Sequence, residues 1–246
     1  MSTNGQRKSG TKQASKRSAR SPVRPGRRRT AAREGDPVTR QRVIEAAIRC
    51  ILEQGFYRAS SNAIAEAAGL SWGVIQYYFG SRESLMLAVL QEGNRRLIDT
   101  LSTADLSGDT VAERLEQYSV IIEKYYGDPE YLAFVQVLLN LSHDPRTSEQ
   151  TRKSMIHDSD LIRAQLDRLT GQMFAGTGIR RTALRNFPFM VLRGLSLSEV
   201  MLTTLPYDTA AIQRRMADQR RMLTEATAWL IENESTASNK ATATAR

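Results

Sequence analysis

From Thr39 to about Glu234, apolar residues return every third or fourth position, and this periodicity restricts the chain to a helical fold. Ile44, Ala47, Ile48, Ile51 and Leu52 make the first stripe, which Gly55 closes in the manner of a C′ glycine. Val111, Leu115, Tyr118, Ile122 and Tyr125 make a second, and Phe134, Val137, Leu138 and Leu141 a third. Met155, Ile162, Leu166, Leu169 and Met173 lie on a long helix expected to begin near Thr147. The breaks are Gly127-Asp128-Pro129, His143-Asp144-Pro145 and Gly176-Thr177-Gly178. No segment keeps the period-two alternation of a half-buried strand. The expectation is an all-α protein.

Hydrophobic residues make up 41% of the 246 and charged ones 25%, so a core of ordinary size can form. No run of about 18 uncharged apolar residues occurs. The nearest, Phe187 to Leu205, is broken by Arg193 and Glu199. The opening MSTNGQRKSG lacks the apolar region of a secretory signal. One cysteine, Cys50, rules out an internal disulfide and fits a reducing compartment. A cytoplasmic protein with no membrane association is expected.

The formal charge of +9 is confined to one end. Residues 1–36 hold eleven Lys and Arg against Glu34 and Asp36, while the other 210 residues carry 24 basic and 24 acidic side chains. This segment has almost nothing to bury and is expected to be a disordered basic arm. It reads as a phosphate-neutralising arm, as a solubilising tail or, with no apolar face to support it, as a transit peptide. At the other end, residues 235–246 return to Ser, Thr, Asn and Ala and are expected to form a disordered tail.

The stretch Ala59 to Leu85, ASSNAIAEAAGLSWGVIQYYFGSRESL, carries the chemistry. Ser60 or Ser61 can cap a short helix that buries Ile64, Ala65 and Ala68. Gly69 suits the turn after it, and Ser71 can cap a second helix from Trp72 to about Phe79. Two short helices around a glycine turn, at about residues 60–79, make a helix-turn-helix, whose second helix enters the DNA major groove. On that helix Ile75 and Phe79 share the core face. Trp72, Gly73, Gln76 and Tyr77 then point outward, with Val74 and Tyr78 at the edge. Gln76 has the amide fork for adenine, and a tyrosine hydroxyl can reach a phosphate. Ser81 can cap the next helix and place Arg82 near the DNA backbone.

Arg42 to Leu90 resembles the DNA-binding domain of TetR-type (TetR/AcrR) transcriptional regulators. The matching residues are Ile44, Ala47 and Ile51, then Gly55-Phe56, Ser60, Ile64-Ala65, Ala68-Gly69-Leu70-Ser71, Gly73, Tyr77, Phe79, Ser81 and Glu83-Ser84-Leu85. The chain departs from that family at Gln76, where a tyrosine is frequent, at Arg82, usually lysine, and at Gly80, often basic. The resemblance implies a DNA-binding domain over residues 37–97 and a helical ligand-binding and dimerisation domain over residues 98–234. It implies a homodimer on a palindromic double-stranded operator, repression, and release by a small-molecule inducer. Arg27, Arg28 and Arg29 are then expected along the DNA backbone or in a minor groove, and deleting residues 1–33 should flatten the salt dependence of binding, by about 0.9 in log–log slope per phosphate lost.

Between Asp109 and Gly176 the resemblance places the inducer pocket. Candidate lining residues by periodicity are Leu101, Tyr118, Ile122, Tyr125, Phe134, Leu138 and Met155, with Gln136, Asn140 and Arg193 as polar anchors. For the dimer interface the candidates are Val191, Gly194, Leu195, Ser198 and Met201, then Met216, Leu223, Ala226 and Leu230. The helix from Arg82 to Leu101 is the expected switch.

Two other classes compete. A small all-α enzyme would need chemistry from His143, His157 or Cys50, which have no metal-ligand spacing around them. No phosphate loop, dinucleotide fingerprint or nucleophile elbow occurs, so neither a cofactor nor a metal is expected. A nucleoid-type protein would bind DNA through the arm with little sequence preference.

Overall fold

Asp36 opens the first helix by accepting the Val38 N–H at 3.1 Å, and the fixed φ of Pro37 suits the first helical position. The computed structural model describes residues 36–179, 182–203 and 208–244. The described residues are helical, with α1 Pro37–Gln54, α2 Ser61–Ala67, α3 Trp72–Phe79 and α4 Arg82–Thr103 forming the N-terminal part. They are followed by α5 Val111–Tyr126, α6 Tyr131–His143, α7 Glu149–Met173, α8 Thr182–Thr203 and α9 Thr209–Thr244.

The caps follow from the local sequence. Ser60, Ser81 and Ser148 each accept a backbone N–H three residues on, and Thr110 and Glu113 form a reciprocal capping box. Helices of seven and eight residues are not stable alone in water, so α2 and α3 depend on packing. Val43, Ile44, Ala47, Ile48 and Ile51 of α1 supply it, each buried to 1% exposure or less, against Ile64 and Ile75. Burying each such isoleucine contributes about 1.5–3 kcal/mol.

Residues 35–246 form one compact unit, with α4 packed against α1, α6 and α7 and crossing the expected boundary at residue 97. Behind α4, Tyr118 and Ile122 of α5, Val137 of α6 and Leu169 and Met173 of α7 fill the core. On α8 the buried ridge is Pro188, Leu192, Ser196 and Val200, every fourth residue. Arg220 of α9 reaches between Glu123 of α5, at 2.5 Å, and Glu199 of α8, at 3.2 Å. The last helix is thereby pinned to the body by charge as well as by Ile212, Met216 and Leu223.

Two expectations are corrected. The segment 235–246 is helical up to Thr244, because no glycine or proline follows Glu234 to end α9. Met216 and Leu223 are 4% exposed within their own subunit and are not available to a second one. The exposed large apolar residues of the last two helices are Phe187, Met190 and Met201 on α8 and Met222 and Trp229 on α9. Gly194 and Ser198 are exposed between the α8 residues, while Val191, Leu195, Ala226 and Leu230 are half-buried.

Candidate nucleic-acid interface

Two positive-φ glycines set the reading helix in place. Gly69, at φ 64°, makes the turn between α2 and α3, and Gly80, at φ 71°, ends α3. A side chain other than glycine would be strained at this φ at residue 80. Ser71 is the N-cap of α3, but its hydroxyl makes no capping hydrogen bond. Ser60 is the cap of α2, and Ser61 is its first residue.

Ile75 and Phe79 face the core, at 1% and 8% exposure, and Arg40 of α1 covers the Phe79 ring. Trp72, Gly73, Gln76 and Tyr77 are exposed, with Val74 and Tyr78 half-buried at the edge. Tyr77 and Tyr78 meet edge to face with ring centroids 5.4 Å apart. Nothing inside the protein demands glycine at residue 73. A Cβ there would meet only Ser71 Oγ, at 3.8 Å, and glycine within a helix costs about 0.5–1 kcal/mol relative to alanine.

Two of the side chains expected to contact DNA also bond within the chain. Gln76 folds its amide back, Nε2 donating to the Gly80 carbonyl, so one of its two N–H donors caps its own helix. Arg82 turns inward rather than toward solvent. Its Nη2 donates to the Phe56 carbonyl at 2.7 Å and its guanidinium lies 4.4 Å from the centre of the Phe56 ring. Burial lowers its pKa, and the cation holds the loop between α1 and α2. Arg27, Arg28 and Arg29 lie outside the described residues.

Two further polar contacts tie this unit to the body, and no pattern in the sequence marks them. Gln136 Oε1 of α6 accepts the Phe56 N–H at 3.1 Å. Glu83 Oε1, in the first turn of α4, accepts from the Ser148 N–H at 3.1 Å, the Ser148 hydroxyl at 2.6 Å and the Thr151 hydroxyl at 2.5 Å. Those hydroxyls hold the Glu83 carboxyl below its ordinary pKa, where the N-terminus of α7 also favours a negative charge.

In the body, α4 to α8 line a cavity of about 660 Å³ that is open to solvent on one side. Of the expected lining residues, Tyr125, Phe134, Leu138, Met155 and Arg193 border it. Leu101, Tyr118 and Ile122 do not, being fully buried as packing. Gln136 faces the α1–α2 loop, and Asn140 donates to the Gln136 carbonyl and borders a separate open groove beside Phe56 and Arg82. Tyr126, Tyr131 and Phe189 complete the aromatic wall, a contribution that periodicity alone left unassigned.

His143 ends α6 with Nδ1 2.8 Å from the Leu139 carbonyl, and His157 is exposed on α7. Cys50 is buried, which raises its thiol pKa. Among the described residues, no three His, Cys, Asp or Glu are grouped so as to hold a metal ion. No described helix is long and apolar enough to cross a membrane.

Comparison with known proteins agrees with this geometry. The family described as "Bacterial regulatory proteins, tetR family" matches residues 43–89, the span from the first buried stripe of α1 to the middle of α4. Two solved structures share the fold. Salmonella enterica GusR has a TM-score of 0.57 at 20% identity, over 80% of this chain and 97% of that one. The fatty acid degradation regulator FadR from Bacillus halodurans has a TM-score of 0.55 at 21% identity, over 76% and 94%. The transcriptional repressor AcnR of Corynebacterium glutamicum is 31% identical over 166 residues, which are 65% of this chain and 82% of AcnR. Similarity over that share of a relative's length, joined to the helix-turn-helix match, places the chain in the TetR family of bacterial regulatory proteins.

Proposed function

We propose that the protein is a homodimeric transcriptional repressor acting on chromosomal DNA in the cytoplasm. In this reading α3 of each subunit reads half of a palindromic operator, and a small molecule in the α4–α8 cavity releases it. The observation that carries the reading is the division of α3. Ile75 and Phe79 anchor it, while Trp72, Gly73, Gln76 and Tyr77 form an exposed face. A glycine retained there lets the helix backbone approach a duplex closely, and Tyr77, 60% exposed, can contact base or backbone.

The exposed Phe187, Met190 and Met201 of α8, with Met222 and Trp229 of α9, support pairing of these two helices with their symmetry mates. AcnR, to which this chain is similar, is a repressor, which favours repression. α4 is the switch in this reading, because Leu90, Asn94 and Leu97 wall the cavity while its first turn carries Arg82 and Glu83. A ligand that favours another α4 position would change the spacing of the two readers.

The test is selection of bound sequences from random double-stranded DNA. A palindrome with half-sites about one helical turn apart is the expected pool. Recovery of DNA without a motif would overturn the repressor reading in favour of nonspecific, nucleoid-type binding.

A further inference from the structure

The cavity contains a charge that the protein does not neutralise. Arg193 of α8 is half-buried in its wall and pairs with no carboxylate among the described residues. Its partners among the described residues are neutral: Nη2 donates to the Tyr131 hydroxyl at 3.1 Å, and the guanidinium stands 5.4 Å from the centre of the Tyr126 ring. A guanidinium has five N–H donors, and one is used. A cation over an aromatic ring contributes about 0.5–2 kcal/mol, while desolvating an ion costs several. The other arginine that lines the cavity, Arg163, lies 3.8 Å from Asp160, and Arg96 nearby pairs with Glu92 and Glu130, whereas Arg114 and Arg168 have their guanidinium N–H groups taken up by several carbonyls. The one carboxylate that borders the cavity, Asp167, is exposed on α7.

The groups around Arg193 extend the asymmetry. The Tyr126 hydroxyl makes no hydrogen bond with any described residue, although its ring is 4% exposed. Burial raises the pKa of this phenol, so at neutral pH it is a donor. The Tyr131 hydroxyl already accepts from Arg193 and has its own proton to give. Away from this corner Leu90, Leu97, Phe134, Leu138, Met155 and Ile162 supply an apolar stretch of wall, interrupted by polar side chains such as Asn94, Arg163, Asp167 and Asn186. The Arg193 end offers donors and positive charge, and the apolar stretch offers cover for hydrocarbon.

We propose that the cavity takes an organic acid, a carboxylate on an apolar body, with Arg193 and the Tyr131 hydroxyl holding the anion and α4, α6 and α7 covering the body. The inference rests on the reading of this cavity as the inducer site. An anion would occupy the open donors of Arg193 with charge-assisted hydrogen bonds, the strongest kind available to it. At about 660 Å³ the cavity has room for a drug-sized molecule, well beyond acetate or formate.

The test uses the full chain and matched probes: octanoate, cinnamate and naphthylacetate, their alcohols octanol, cinnamyl alcohol and naphthylethanol, and octylammonium. Calorimetry measures binding, and gel shift on the selected operator measures release. At least one acid should bind more tightly than its alcohol by about 10- to 100-fold, with octylammonium weakest. Arg193→Gln should collapse the ratio of acid to alcohol, Arg193→Lys should keep part of it, and Tyr131→Phe should reduce it several-fold. Circular dichroism and melting check that each variant folds. An alcohol binding as tightly as its acid, a ratio unmoved by Arg193→Gln, or no acid binding at all would each overturn the inference. A protein that selects an operator yet ignores every acid keeps the regulator reading and loses this one. A protein that selects no operator loses the regulator reading whatever the acids do.

Discussion

Around the reading helix, Ile44, Ile48, Ile51, Ile64 and Ile75 are each no more than 1% exposed. Further along α4 the walls stand apart around about 660 Å³. The first arrangement is forced by size, since α2 and α3 have seven and eight residues and take both stability and orientation from what they touch. The body has helices of 16, 13 and 25 residues in α5, α6 and α7, and their length tolerates an unfilled interior. Under the proposed function, a helix that meets base edges in fixed register gains from a closed core, and a chamber that admits a molecule stays open. α4 belongs to both, which is why the contrast between the two regions matters for function.

The largest effect expected is in the tight region. Ile75→Ala should lower unfolding stability by about 2–5 kcal/mol, since it removes fully buried methyl groups and leaves a hole. Leu138→Ala, at a half-buried wall position, should cost about 1 kcal/mol or less, because the space beside it is already empty. Denaturant unfolding of the two variants measures the difference. Equal losses would mean that the two interiors are packed alike.

Gly93 probes the contact where the regions meet. A Cβ there would lie 2.7 Å from Cγ and Cδ2 of Phe134, and the Gly93 carbonyl accepts the Tyr125 hydroxyl at 2.9 Å. Overpacking of this kind costs about 1–3 kcal/mol, and the gain in helix propensity returns about 1 at most. Gly93→Ala should therefore lower the melting temperature. The Phe134 ring, which borders the cavity, should yield toward the open side and weaken ligand binding. A variant that melts higher than the parent would show a softer α4–α6 contact than this geometry implies.

What the chain discloses in one dimension follows the same division. Ser60, Gly69, Ser81 and the Ile75–Phe79 pair act over at most four residues, so caps, a turn and an i, i+4 relation reveal them. The sequence does not show that Arg82 bonds the carbonyls of Phe56 and Ala59, which are 26 and 23 residues away and leave no local trace. Gln136 looked like a pocket anchor for the same reason, its partner being Phe56. On α9 periodicity finds the apolar stripe of Met216 and Leu223, but it cannot say whether that stripe packs on its own subunit, as it does, or on a second one. Arg220, held by Glu123 and Glu199, fixes the helix on its own subunit.

Gln136 allows the connection between the regions to be cut. Gln136→Leu keeps the volume and leaves the Phe56 N–H without its acceptor, which should cost about 1 kcal/mol of stability. If α6 transmits cavity occupancy to the α1–α2 loop, a saturating inducer should also weaken operator binding less in this variant than in the parent. Gel shift with and without inducer reads that ratio. An unchanged ratio would place all of the transmission on α4.

The smallest expected effect concerns Glu83, whose carboxylate spans from α4 to the start of α7. Hydrogen bonds from Ser148 and Thr151 depress its pKa in the folded state. A depressed carboxyl pKa contributes stability above the unfolded value of about 4.3, and that contribution is lost as pH falls through the folded value. The parent should therefore lose more stability than Glu83→Gln on going from about pH 6 to about pH 3. Because this side chain is largely in contact with solvent, the difference should stay under about 1 kcal/mol. Asp144 and Arg146, which titrate or repel nearby, are present in both proteins and cancel in the comparison. Parallel pH profiles for the two would mean that Ser148 and Thr151 bind the neutral amide as well as the carboxylate, and that the tight region is held to the body by packing and Gln136 without help from this charge.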